Sequence, residues 1–521
     1  MPTIKSVVLH NFKKFRDLEL HFADDLNILV GDNETGKSSI LLAIDLVLSG
    51  SRGKVESAGL ERLFNHEIIQ GFLAGPRTYD GLPLLFVDIY LSSGMRPELN
   101  GKTNSKKIEV DGLRMECAPR DELSEEISAA LADERPNFPF EYYSVSFLTF
   151  AGDPYSGFNK YVRHLSIDSS RIDSEYAVRD YTRSMFEVHS DGRDRNKLEN
   201  LYRRNKSAFR DDHLKALNKN LSDCQFGVRT DAQSNLESDL MITEGGIPIE
   251  NKGKGRQCFV KTEFALKRST AQRPLDVLLL EEPENHLSHG NMKQLISRLA
   301  EPTDKQIIVA THSSLVSSRL DLRKTLLLGN GTPPAALRDL PKTTAEFFMK
   351  ASDSGVLEFV LSRKVILVEG DAEFILMDCF YKTLSGRATL ASDAVHVISV
   401  GGTSFKRYLD LAKLLKVRTA VIRDNDGDYQ TNCVDNYVDY ALDHIQIFSD
   451  RNPARRTLEI CLYEDNKSIC EKLFGQSRRS LAVREYMLAN KTEAAFELAT
   501  KSADELMAPS YMKEAIDWIR R

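Results

Sequence analysis

The chain has 521 residues, 41% of them hydrophobic and 28% charged, with 29 Gly and 17 Pro; at roughly 100–200 residues per domain this predicts two to four domains with real cores and excludes a disordered, collagenous or rod-like chain. Seven Cys with no C-x-x-C pair exclude a zinc ribbon and a secreted disulfide framework and point to a reduced, cytoplasmic setting. The net charge of −6, from 70 basic and 76 acidic residues, advertises no global affinity for nucleic acid, and no signal-peptide pattern or membrane-length apolar run predicts export or insertion.

Residues 6–12 (SVVLHNF), 18–22 (LELHF) and 26–30 (LNILV) read as strands. GDNETGKSS follows and opens the helical run ILLAIDLVL at 40–48. Strand-like runs at 82–91 and 142–150 and a helix over 121–132 predict a lobe of the same domain. From 156 to 230 the strand signals fade into polar helical spacing with 15 basic against 11 acidic residues, the mark of a solvated helical insertion or dimerisation arm more than of a dedicated nucleic-acid surface. LDVLLLEE at 275–282 and KQIIVATHSS at 305–314 return to buried-type strands, closing the first domain near residue 350. A second βα series follows, with strands KVILVEG, VHVISVGG and TAVIRDNDGD separated by helices over 371–384 and 404–415, and predicts a second parallel sheet with a helical tail.

Gly31 to Ser38 match G-x-x-x-x-G-K-[ST] between a strand and a helix, the context this phosphate loop requires. Backbone amides around Asn33 and Gly36 would wrap phosphates at a helix N-terminus, Lys37 would reach the β and γ oxygens, Ser38 would bind Mg²⁺, and Ser39 follows it. Glu281 and Glu282 end a buried strand; the first is assigned to the metal and the second to the attacking water, although two acids merely closing a strand would read alike. His312 ends the next strand within reach of a γ-phosphate. IENKGKGRQ at 249–257 is a Gly-rich basic loop.

These residues resemble the ABC-type ATPases of the SMC and RecF kind: VVLHNFKKFRDLELHFADDLNILVGDNETGKSSILLAI their N-terminal pattern, LLLEEPENHL their Walker B and D-loop, THSS their switch histidine. The resemblance implies that Gly253, Gly255 and Gln257 form a signature loop contacting ATP across a dimer, that Asn285 and His286 lie in the D-loop, and that Gln70 is a candidate for the Q-loop.

Further along, Glu369 ends a strand, Glu373 lies four residues on, and Asp424 and Asp426 end a later strand. Carboxylates at the C-terminal ends of parallel strands stand where α/β sheets bind ligands, and all-oxygen sets suit Mg²⁺ or Mn²⁺. An EF-hand is excluded because its bidentate Glu would fall on Cys433. The V-E-G and D-x-D pair resembles the Toprim domain. An ABC-type ATPase followed by Toprim resembles the OLD (overcoming lysogenization defect) nucleases, which include the Gabija nuclease subunit and OLD-type retron effectors.

The resemblance implies an α/β fold with an ATPase domain over 1–155 and 231–350, an insertion for dimerisation over 156–230, and a Toprim nuclease domain with a helical C-terminal part over 360–521. It implies ATP with one Mg²⁺, and two Mg²⁺ or Mn²⁺ in the Toprim site. Glu369, Asp424 and Asp426 would hold one ion, and Glu373 with Glu459 the other. Lys491 would stand near the scissile phosphate, with Glu282 and His312 catalytic at the ATP site. Arg451, Arg455 and Arg456 form a basic cluster suited to phosphates. The expected activity is metal-dependent cleavage or nicking of DNA in defence against phage by a homodimer or larger oligomer, with room for a helicase or a reverse transcriptase with its DNA as partner. The alternative is an ATPase sensor or clamp that recruits a partner or acts on RNA or tRNA. An SMC-like rod is excluded by the lack of heptad arms.

Overall fold

The computed structural model describes every residue except 1, 95, 133–136, 158–160, 172–174, 220, 222–223, 230–234, 267–274, 302–303, 314–315, 317–318, 330–333, 352–354, 387, 403 and 476–480. It divides into two compact units, Met1–His312 and Ser313–Arg521. Among the described residues no helix is long and apolar enough to cross a membrane.

In the first unit, β1 (Ile4–Phe12), β2 (Phe15–His21), β4 (Leu85–Leu91) and β5 (Val110–Pro119) form an antiparallel sheet in the order β2-β1-β4-β5, with β6 (Tyr143–Thr149) also on β5. The parallel sheet is built from β3 (Leu26–Val30), β7 (His164–Asp168), β8 (Val277–Glu281) and β9 (Gln306–Thr311), in the order β3-β9-β8-β7. The inner strands LLL of β8 and QIIVAT of β9 are buried on both faces, as a sheet covered by helices requires. Because all four strands run the same way, the loop after β3, Glu281, His312 and Asp168 all emerge at one edge. Helix α1 (Lys37–Ser49) starts at that edge and buries Ile40, Leu41, Ile44 and Val47.

Strand β7 lies inside the stretch read from sequence as a helical insertion. Its five residues HLSID carry too short an alternation to stand out from polar surroundings, and pairing with β8, Glu281 against Asp168, is what makes them a strand. A half-buried triad ties β7 to α1: Asp45 accepts from His164 Nε2 at 2.9 Å and from Lys54 Nζ at 3.1 Å. The insertion's helical part includes α2 (Gly192–Phe209). Helices α3 (Lys254–Leu266) and α4 (His289–Ala300) flank β8 in the chain.

The second unit is a four-stranded parallel sheet of β10 (Lys364–Val368), β11 (Val395–Ser399), β12 (Arg418–Ile422) and β13 (Ile445–Phe448), in the order β11-β10-β12-β13. Between the strands run α5 (Asp371–Leu384) and α6 (Phe405–Leu415); the tail adds α7 (Leu458–Asp465), α8 (Lys491–Lys501) and α9 (Ser510–Arg520). The chain leaves β10 to one side and returns for β12 on the other, so the switch point of the topology lies between β10 and β12. Residues 313–350, read from sequence as the end of the ATPase domain, group with this unit. The helix Lys342–Lys350 packs on α6: Phe348 meets Tyr408 with ring centroids 5.1 Å apart, and the Thr344 hydroxyl donates to Asp410.

Candidate functional site

The phosphate loop is built by conformation as well as by sequence. Glu34 (φ 67°) and Gly36 (φ 96°) are left-handed. A Cβ on Gly36 would sit 2.4 Å from the Phe15 ring, so only glycine fits. Lys37 is buried and turns its ammonium back to the carbonyls of Gly31 (2.7 Å) and Asp32 (2.9 Å). Burial holds that ammonium below its usual pKa range, against the upward pull of Glu282, Asp32, Glu284 and Glu281. Glu281 and Glu282 leave β8 at the same edge of the sheet as the loop after β3. Asn33 and Ser38 are exposed at the loop crest and first helical turn, and Ser39 is half-buried.

Glu282 is held from two sides. Asn285 Nδ2 donates to its Oε2 at 2.7 Å, and His312 Nδ1 lies 3.2 Å from its Oε1. Its backbone is left-handed at φ 44°, a strain that persists only where the surroundings enforce it. The Glu282 N–H bonds to the Ala310 carbonyl at 2.8 Å, and Ser169 donates to the carbonyls of both Glu281 and Glu282. Ser169 and the buried Glu284, which accepts from Thr311, were missed by sequence reading because short polar strands and loop acids carry no motif.

Gln70 occupies an exposed position on the helix His66–Ala74, not a loop. Gly255 opens α3 against the segment after β8: a Cβ there would lie 2.0 Å from the His286 carbonyl oxygen, whereas Gly253 has nothing within 4 Å. Gln257 is buried and donates to the Lys252 and Glu250 carbonyls, so it shapes the turn before α3. Gly255→Ala is therefore expected to destabilise the protein by about 1–3 kcal/mol in urea unfolding and to slow ATP turnover by moving Asn285. Gly253→Ala should leave the unfolding midpoint unchanged.

In the second unit the acids gather at the switch point. Val368 pairs with Ile422, which sets Glu369 beside the residues that follow β12. The Asp424 N–H donates to Glu369 Oε1 at 3.2 Å, and Asp424 Oδ1 accepts from the Leu458 N–H at 2.9 Å at the start of α7. Glu373 accepts from the Gly370 N–H at 3.2 Å, a cap that starts α5. Glu459 is 3% exposed, and Lys491, at the start of α8, stands 3.1 Å from its Oε2 but off the line of a hydrogen bond, so both Glu459 oxygens lack one. Burial, with Glu373 and Asp426 nearby, pushes Glu369 up to about 7 despite Arg423. Burial and the charges of Glu369, Glu373 and Glu459 push Asp424 up to about 8. Burial and Glu459 likewise raise Glu373. For Lys491, burial works downward but the facing acids Glu459, Asp424 and Glu373 outweigh it.

Asp426 stands at the rim, 56% exposed with a left-handed backbone (φ 52°). Its partner is the buried Arg423, whose Nη2 lies 3.3 Å away. Arg423 also reaches the Tyr437 hydroxyl at 3.1 Å and the Asn432 carbonyl at 3.0 Å, so it is locked beside the acids. Of the three arginines read as a phosphate cluster, Arg455 is consumed by Asp450 (2.7 Å) and Asp465 (2.7 Å), and only Arg451 and Arg456 are exposed.

The donor set fits a divalent cation. Its donors are hard oxygens, two of them buried without hydrogen bonds, in a cluster whose mutual repulsion a cation would relieve. Among the described residues no three acid, His or Cys side chains converge as they stand. Asp424, Glu373, Asp426 and Glu459 each face a separate cationic or N–H partner, so rotation of these side chains is required to share one ion.

Residues 360–426 match the sequence model of the overcoming lysogenization defect protein-like Toprim domain, and residues 6–237 and 262–318 match AAA-domain models. The DNA replication and repair protein RecF of Xanthomonas oryzae pv. oryzae is 39% identical over 56 residues, 10% of this chain and 16% of its own, so the chain spans under a fifth of that relative. Among solved structures, the C-terminal region of the Burkholderia pseudomallei OLD protein is 22% identical, covering 31% of this chain and 98% of its own with a TM-score of 0.25. The SMC head domain of Thermotoga maritima is 15% identical over 64% of this chain and 98% of its own, with a TM-score of 0.28. Domains of these two types use ATP and a divalent metal. The loop at Gly31, Glu282 and His312 fall within the AAA segments, Glu369 to Asp426 within the Toprim segment, and the chain therefore joins an AAA-type ATPase domain to a Toprim domain of the overcoming-lysogenization-defect type.

Proposed function

We propose that the protein is an ATP-binding and ATP-hydrolysing, divalent-metal-dependent DNA endonuclease or nickase that serves in anti-phage defence. The observation that carries this reading is that Glu369 meets the Asp424 N–H at the switch point of the second sheet, with Glu373 capping α5 and Glu459 beside Lys491.

Glu369, Asp424 and Asp426 would hold one divalent ion and Glu373 with Glu459 a second; bound there, such ions activate water and shield a departing oxygen in phosphodiester hydrolysis. The residues of the chain do the rest. Lys491, fixed by Glu459, presents a cation where a phosphate oxygen gains charge. Arg423 braces Asp426 and, 3.7 Å from Glu369, keeps both carboxylates oriented. In the ATPase domain, Lys37 and the loop amides take the phosphates, with Ser38 and Glu281 toward Mg²⁺, while Glu282, oriented by His312 and Asn285, takes the proton of the attacking water. Gly253 and Gly255, at the start of α3, would complete a nucleotide site on a second copy of the chain, which makes the working form a homodimer or larger.

The test is cleavage of supercoiled plasmid with Mg²⁺ or Mn²⁺, with and without ATP. Nicked or linear product is expected from the protein and from no Asp426→Ala preparation, while Lys37→Ala loses nucleotide binding and keeps its affinity for Mn²⁺. Cleavage that survives Asp426→Ala would overturn the site. Cleavage of tRNA in place of plasmid would move the substrate to RNA.

A further inference from the structure

The ATPase unit carries a basic surface that neither site uses. Helix α2 is 18 residues long with no buried residue, and at about 100° per residue its side chains sort into two faces. One face packs inward: Tyr202 and Lys206 bond to Asp239 of the short helix Leu236–Asp239, and Arg195 lies 3.9 Å from Glu187. Cations on this face have carboxylate partners.

The other face is different. Arg193, Lys197, Asn200 and Arg204 fall within an arc of about 60°, with Arg203 flanking it. All five are exposed, and among the described residues none of the four cations has a carboxylate at ion-pair distance. The acids of the helix beyond its cap, Asp194 and Glu199, point about 90° and 130° away from the centre of that arc. Ion pairing is therefore exhausted where α2 packs and missing where it faces solvent. A merely soluble helix face would intersperse both signs.

We infer that this face of α2 binds the phosphate backbone of duplex DNA, an inference that rests on the DNA reading above and assigns it a docking surface. From Arg193 to Arg204 the helix rises about 16 Å, a length over which one strand of a duplex presents about five phosphates. Three arginines and a lysine at that spacing suit phosphates and carry no sequence preference. A second copy of the chain is a poor occupant, because a two-fold contact would set like charges against each other.

The experiment measures binding of a fluorescein-labelled duplex by anisotropy across a KCl series, in the Asp424→Asn background so that the duplex is not cut. Replacing Arg193, Lys197, Arg203 and Arg204 together by Ala is expected to weaken binding at least about tenfold and to flatten the slope of log K against log salt by about 2–4. Arg195→Ala, on the packed face, should leave the slope unaltered, and Lys at all four positions should restore it. An unchanged slope and affinity in the fourfold Ala variant, with the chain that keeps Asp424 still nicking plasmid, would overturn this surface and leave the nuclease reading standing. Wild-type protein that neither binds duplex nor cuts plasmid would overturn both, and a fourfold variant that fails only to bind polyglutamate would reassign the face to an acidic protein.

Discussion

Asp424→Asn is expected to lower metal-dependent plasmid cleavage by more than about 10²-fold while ATP turnover stays within about twofold of wild type. Even groups that only support a metal ligand cost about 10–100-fold when removed, and Asp424 lies closer to the centre of the acid cluster than any supporting group. It is 7% exposed, and Glu369, Glu373 and Glu459 all raise its pKa, which stands at about 8. Asn keeps the oxygen that accepts from the Leu458 N–H, so the start of α7 survives the change. Without metal the variant should melt at the same temperature as wild type or a few degrees higher, since one of four repelling carboxylates is gone. A gain of 1 kcal/mol corresponds to about 2–4 °C for a unit of this size. Added Mn²⁺ should raise the melting temperature of wild type by mass action and leave Asp424→Asn nearly unmoved. Equal Mn²⁺ stabilisation of the two proteins would remove Asp424 from the metal site.

Glu282→Gln is expected to reduce ATP hydrolysis by about 10²–10⁴-fold, the range a general base supplies, with nucleotide affinity retained. Binding rests on Lys37 and the loop amides, which the change leaves in place. The His312 and Asn285 contacts predict a graded series. Asn285→Ala and His312→Ala each free one side of the Glu282 carboxylate, so each should give a smaller loss than Glu282→Gln. Single-turnover hydrolysis alongside equilibrium binding of a fluorescent ATP analogue separates the two quantities. A Glu282→Gln protein that hydrolyses normally would transfer the water-activating role to Glu281 or Glu284.

Much of the second unit was legible from pattern alone. The helix expected over residues 371–384 is α5, and the strand ends expected at Glu369 and Asp424 are where β10 and β12 stop. Apolar strand runs ended by acids are local signals, and parallel βα units repeat them. Strand β7 escaped because its identity comes from pairing with β8. Glu459 and Lys491 were named through the family resemblance, since no local pattern sets them apart from the other charged residues of the tail. The burial of Glu459 and its contact with Lys491 arise where α8, packed on α5, meets α7, which no spacing rule encodes. Arg455 shows the converse: three adjacent arginines read as one surface until Asp450 and Asp465 claim the middle one.

The phosphate loop, the two parallel sheets and the acids at their strand ends were determined by sequence alone, because glycine conformation, hydrophobic period and strand-terminal charge act over a few residues. Tertiary structure alone decided which charges meet: Glu282 with His312 and Asn285, Glu459 with Lys491, Arg455 with its acids, and the basic face of α2 with none among the described residues. Such pairings depend on distances between segments up to dozens of residues apart, and electrostatic energy falls with distance through space, not along the chain.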